Sequence, residues 1–205
     1  RAISRIGIGG VQSLVISITL KNKIFGSVLS KKLAGKLWKK SLLTAIIIGK
    51  CAKISNENES SFYTLGLLHN IGSFITLSIG NSFVKQHNDY VSEEDFLERV
   101  INSFENRVTK IVLSKWGFDL DQIDSIGSAE TLKKDTDLIL YKTMYFAHQV
   151  SKGVLSGYLK NLTKDEMFYY YKKISEDAKL NLSENNIIKI ISESFKEFQT
   201  IVEMI

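Results

Sequence analysis

Gly66-Leu67-Leu68-His69-Asn70-Ile71-Gly72 carries an apolar run through Leu67 and Leu68 into a histidine and an asparagine. A polar break, Asn56 to Ser61, precedes it, and Ser60 or Ser61 can cap a helix that starts there. The stretch is predicted to lie on a buried helix, with His69 near its N-terminal end or middle. Its expected packing partner is the helix of Trp38. Between Lys32 and Ala45, the lysines at 32, 36, 39 and 40 fall on one arc of a helical wheel. Leu33, Leu37, Trp38, Ser41, Leu42 and Ala45 fall on the other, which makes an amphipathic helix. From Leu42 to Ile48 the pattern turns apolar all round, as a central core helix requires.

The rest of the chain reads as helix as well. Ser92, followed by Asp95, forms a loose capping box for a helix through Phe96, Val100 and Phe104 towards Ile111. Asp135 to Leu159 is periodic, and Ser183 to Ile205 is an amphipathic helix capped by Ser183. Lys160 to Leu182 reads as a polar connection between them. Val11 to Leu20 is β-branched, but it lacks a partner segment for a sheet. The predicted fold class is all-α. No internal repeat, low-complexity tract or linker divides residues 1–205, so one helical domain is expected.

Charge is distributed unevenly. No Asp or Glu precedes Glu57, whereas eleven Lys or Arg do, so the first part carries +11 and the remainder −6. Such asymmetry can mark a nucleic-acid or membrane surface. The cations are 23 lysines and only four arginines, however, and phosphate or base readers favour the arginine fork. A nucleic-acid interface through the basic helix at Lys32 to Lys40 is therefore the weaker alternative. Cys51 is the single cysteine, so no disulfide forms within the chain and a reducing cytoplasm is expected. Runs such as Leu42 to Ile48 are too short to span a bilayer, and no membrane partner is expected. Arg1 to Leu20 has the arginines of a signal peptide but no convincing cleavage site.

Six segments, in order, resemble the HDOD family, a branch of the HD superfamily of metal-dependent phosphohydrolases found in bacterial signalling proteins. Arg1 to Gly7 is similar to its Ala-Ile-x-x-Leu-Gly segment. Leu37-Trp38-Lys39-Lys40-Ser41 resembles Leu-Trp-x-His-Ser, and Phe62 to Gly72 resembles Phe-x-x-Gly-Leu-Leu-His-Asp-Ile-Gly. Glu105 to Gly117 resembles the helix leading to Trp-Gly-Leu-Pro, with Asp119 in place of the proline. Ile126 to Glu130 stands where a His-His pair is usual, and Tyr145 to His148 where a helix bearing Ala-Asn follows. The resemblance implies an HD-like helical bundle with its core match over 1–160 and a C-terminal helical extension over 161–205. In that family the first segment lies well inside the domain, so the resemblance also implies an N-terminal part that precedes Arg1.

The same resemblance locates the family's metal ligands. They correspond to Lys40, His69, Asn70, Glu105 and the pair Ser128 and Ala129, so only His69 is a matching ligand. Asparagine keeps the shape and one carbonyl oxygen of aspartate but not the charge that a hard divalent cation depends on. An ammonium at position 40 repels a cation and can instead pair with Glu105. No catalytic residue, metal or cofactor is therefore expected. The implied function is a non-catalytic signal-transduction module that binds a signalling protein or a small anionic ligand. Lys40, His69, Asn70 and Glu105 are its candidate cleft residues, and a homo-oligomer is compatible with this reading. A divergent phosphohydrolase is the alternative.

Other motifs carry less. His87 and His148 are isolated histidines, and His69 in an apolar setting is compatible with a plain core role. Gly7-Ile8-Gly9-Gly10 lacks the strand and spacing of a phosphate loop. Asp119, Asp121 and Glu130 suggest a calcium loop, but Ile123 and Asp124 stand where a ligand and a glycine are required. Tyr169-Tyr170-Tyr171 is read as a packing edge rather than a base-stacking platform.

Overall fold

The computed structural model describes residues 28–86, 93–127 and 137–204. The segments resembling Ala-Ile-x-x-Leu-Gly and the His-His pair (Ser128 and Ala129), together with Val11 to Leu20, His87 and the Ser92 cap, lie outside the described residues. Among the described residues every regular element is helical. In chain order they are α1 (Val28–Ile54), α2 (Glu59–Leu68), α3 (Ile71–Gln86), α4 (Glu93–Lys115), α5 (Leu120–Gly127) and α6 (Ile139–Leu155). A 3-10 turn (Tyr158–Asn161), α7 (Lys164–Asp177) and α8 (Glu184–Met204) follow. Their contacts group into two compact units, one within 1–38 and 68–124, the other within 39–67 and 125–205.

In the first unit α3 packs along α4. The buried stripe of α4 is Leu97, Ile101, Thr109 and Leu113, spaced four or eight residues apart so that they share one face. This corrects the expected line through Phe96, Val100 and Phe104 towards Ile111, since Phe104 and Ile111 are each about half exposed. The polar Thr109 sits in the true stripe and hides it from a reading that follows large apolar residues. Phe96 still contributes, stacking on Phe83 of α3 with ring centroids 5.7 Å apart.

In the second unit Leu42, Leu43, Ala45, Ile46, Ile47 and Ile48 of α1 are all within 2% of complete burial, the all-round apolar helix that the sequence predicted. Burial leaves its few polar groups in need of partners. Thr44 Oγ1 donates to Ser151 Oγ of α6 at 3.0 Å. Lys50 reaches the rim and pairs with Glu197 of α8 at 2.9 Å. The helix ends in a Schellman motif. Glu57 N–H donates to Ala52 C=O and Asn56 N–H to Lys53 C=O, with Asn56 at φ 59. Asn58 then caps α2, its Oδ1 accepting Ser61 N–H at 2.9 Å, a role the sequence had assigned to Ser60 or Ser61.

Ser183 does cap α8, its Oγ accepting Asn186 N–H at 3.3 Å. The segment read as a polar connection instead contains α7. Thr163 and Glu166 form a full capping box at its start, a signal present in the sequence. Only Tyr171, Ile174 and Ser175 of α7 are buried, so its apolar stripe is too narrow to stand out. The apolar stretch Glu59–Val84 has the length and composition to cross a membrane, but 72% of its most apolar window is buried inside the protein. Core helices of a folded domain pass the same test.

Cys51 lies at 1% exposure on α1, and burial pushes its thiol up to about 12 from 9.0. The folded state holds the neutral thiol while the unfolded chain ionises. The associated stability is thus fully present below about pH 9 and is lost as the pH rises beyond it. At pH 8 the native protein should resist a thiol-specific reagent, since only on the order of one thiol in ten thousand is ionised. Labelling should appear only with denaturant, and native labelling at the rate of a free thiol would contradict the buried placement.

Candidate functional site

His69 and Asn70 do not lie within a helix. They form the two-residue turn that ends α2 and opens α3, which corrects the expectation of a helix running through them. A hydrogen bond marks the break. In an unbroken helix Gly72 N–H would donate to Leu68 C=O. Here it donates to Thr109 Oγ1 on α4 at 3.0 Å. Asn70 takes the N-cap position of α3, its carbonyl accepting Phe74 N–H at 3.2 Å. Residue 70 serves the turn through its backbone, with no side-chain cap bond among the described residues, so the exchange of aspartate for asparagine leaves the turn intact.

The turn is closed in. His69 and Asn70 are exposed by only 6% and 5%. The Nδ2 of Asn70 makes no hydrogen bond among the described residues. Next to it, Ser73 Oγ donates to Glu105 Oε2 at 2.5 Å. Glu105 stands between Ile101 and Thr109 on the packed stripe of α4, so its carboxylate faces α3 although it is only half buried. The first unit therefore brings the surroundings of His69, Asn70 and Glu105 together through Gly72, Ser73 and Thr109. Lys40 belongs to the second unit, half-buried on α1 two residues after Trp38.

A catalytic divalent cation in this superfamily needs several charged or imidazole ligands, at least three of them from protein. Among the described residues no three His, Cys, Asp or Glu side chains gather into such a group. His69, an amide at position 70 and a carboxylate already accepting from Ser73 do not fit that role on their own. Ser128 and Ala129 lie outside the described residues. Sequence reading missed Thr109 and Ser73, the two hydroxyls that fix the turn and Glu105. Their spacing, four residues after Glu105 and three after Asn70, was the available signal.

Asp119, at the position of the family's proline, caps α5. Its Oδ1 accepts Gln122 N–H at 2.8 Å while its own N–H donates to Gln122 Oε1 at 3.1 Å. A proline there, with neither a side-chain acceptor nor an N–H, would lose both of these bonds. Gly117, at φ 81, closes α4 beforehand. His148 is buried on α6 with Phe146 and Ala147.

Comparison with known proteins agrees with the helical fold. The HDOD domain matches residues 1–132, ending short of Tyr145 to His148. No curated protein matches the chain. Two solved structures from Shewanella amazonensis SB2B are similar in fold. A candidate phosphohydrolase superposes with a TM-score of 0.66 at 16% identity, covering 98% of this chain and 74% of its own. A candidate metal-dependent phosphohydrolase gives 0.58 at 16% identity, covering 95% and 71%.

Thr109→Val keeps the shape of the side chain but removes the acceptor for Gly72 N–H. Leaving that buried donor unsatisfied should cost about 1–3 kcal/mol in urea unfolding, with the m-value unchanged. An unchanged midpoint would show that the turn does not depend on this bond.

Proposed function

Since this chain belongs to the HDOD domain family, we propose that it works as a non-catalytic regulatory module that binds a signalling protein or a small anionic ligand. One observation carries the reading: the His69–Asn70 turn is built and buried, yet the residue at 70 is a neutral amide. Selection for hydrolysis would act on the carboxylate, while selection for a scaffold acts only on the turn, which asparagine serves equally well. The residues at the positions of the family's metal ligands, His69, Asn70 and Glu105 in the first unit and Lys40 in the second, are each proposed to take part in binding. The Asn70 amide would supply a donor, and Lys40 a positive charge on its own unit. A bacterial cytoplasmic setting is part of the same proposal.

The second reading is a divergent phosphohydrolase, favoured by the names of the two structural neighbours. Metal content separates the two. Protein purified without chelator should contain clearly less than one transition-metal ion per chain. Nucleotides and cyclic dinucleotides should be hydrolysed at the background rate. One bound metal per chain, or turnover abolished by His69→Ala, would establish the enzyme instead. In a thermal-shift survey of the same anions, a binder at one hundred times its Kd stabilises the fold by about 2.7 kcal/mol. Lys40→Glu should abolish that shift, and a shift that survives places the working surface elsewhere.

A further inference from the structure

Within the second unit, α6, the 3-10 turn and α7 surround an open concavity of about 660 Å³. It lies wholly after residue 132, outside the segment matched by the HDOD domain. Four tyrosines line it, Tyr145, Tyr158, Tyr169 and Tyr170. Its charged residues are Asp165, Glu166 and Asp177 against Lys173, a local charge of −2 in a chain of net +5. Glu166 is committed to the Thr163 capping box. Asp165 and Asp177 form no ion pair among the described residues.

The aromatic wall is held in place from behind. Tyr170 donates its hydroxyl to Gln149 C=O at 3.2 Å. It passes over Gly153, where a Cβ would collide with the phenol oxygen. Its ring meets Tyr158 at 5.7 Å with a 50° tilt and, on the core side, Tyr171 at 5.7 Å and 67°. Tyr158 and Tyr169 nevertheless remain 59% and 68% exposed, a large aromatic area to leave facing water. Burial raises the pKa of Tyr170 and of Tyr145, with Tyr158 and Tyr145 adding to the first and Asp177 to the second. Both phenols therefore stay neutral in the physiological range and present ring faces and dipoles rather than charge.

Aromatic faces with unpaired carboxylates select one ligand chemistry. The negative face of a tyrosine attracts a cation, most strongly one that is weakly hydrated. An anion would meet the net negative charge, and a neutral apolar molecule would leave Asp165 and Asp177 without a counter-ion. The volume falls within the range of small-ligand sites. We propose that this concavity binds a small organic cation carrying an alkylated ammonium group. Tyr158 and Tyr169 supply ring faces, and Asp165 and Asp177 supply the counter-charge.

Choline and its neutral isostere 3,3-dimethyl-1-butanol, titrated into the full chain by calorimetry, test this directly. Choline should bind saturably, and the neutral isostere at least about tenfold more weakly. Tyr158→Leu and Asp177→Asn, both at exposed positions, should each weaken choline binding about 3–10-fold while helical circular dichroism is unchanged. Absence of saturable choline binding, equal binding of the two probes, or undiminished binding by the double variant would each overturn the proposal. Should Tyr158→Leu fail to fold, the probe comparison and Asp177→Asn still decide it.

Discussion

Two helix crossings without room for a Cβ set the rest of this structure. At Gly66, α2 approaches α1 so closely that an added Cβ would stand 2.6 Å from Ala45 Cα and 2.7 Å from Ile48 Cγ2. At Gly72, the start of α3 presses on α4, where a Cβ would collide with Glu105 C=O and with Thr109. Real Cβ atoms do not tolerate such distances, so each crossing exists only because the residue is glycine. The two glycines flank His69 and Asn70, and they lie in different units of the fold. The burial of the turn, the diversion of Gly72 N–H to Thr109 and the inward face of Glu105 follow from the second crossing.

The sequence was legible where one force dominates. The all-round apolar run from Leu42 to Ile48 announced a buried helix, and the Ser183 cap announced the start of α8. It was misleading where polar side chains do structural work. Thr109 interrupts the apolar line of α4, so the stripe was drawn one residue off, through Phe96 and Phe104. The capping box of Thr163 and Glu166 stood in plain sight, but α7 buries too little for periodicity to register. Just after the break at His69–Asn70, Gly72 N–H is held by a hydroxyl 37 residues further along the chain, and no local pattern reports it.

The site shows the same division. The family's motif pointed to His69, Asn70 and Glu105, and the packing of α3 on α4 accounts for their neighbourhood. What the motif could not supply is the use now made of that neighbourhood. Glu105 accepts from a serine hydroxyl, Asn70 caps a helix through its backbone, and Gly72 bonds sideways, all of them structural duties. The Tyr158 and Tyr170 concavity arose from no motif at all. Its tyrosines come from α6, a 3-10 turn and α7, and only folding brings them together.

Unfolding free energies of three glycine-to-alanine variants test the crossings most directly. Gly66→Ala and Gly72→Ala should each lose about 2–3 kcal/mol through overpacking. Gly35 sits within α1 with nothing inside 4 Å of its added Cβ. Gly35→Ala should therefore gain up to about 1 kcal/mol from helix propensity. Gly66→Ala and Gly72→Ala variants as stable as the parent protein would contradict the account, because the two helix pairs could not then approach as closely as described.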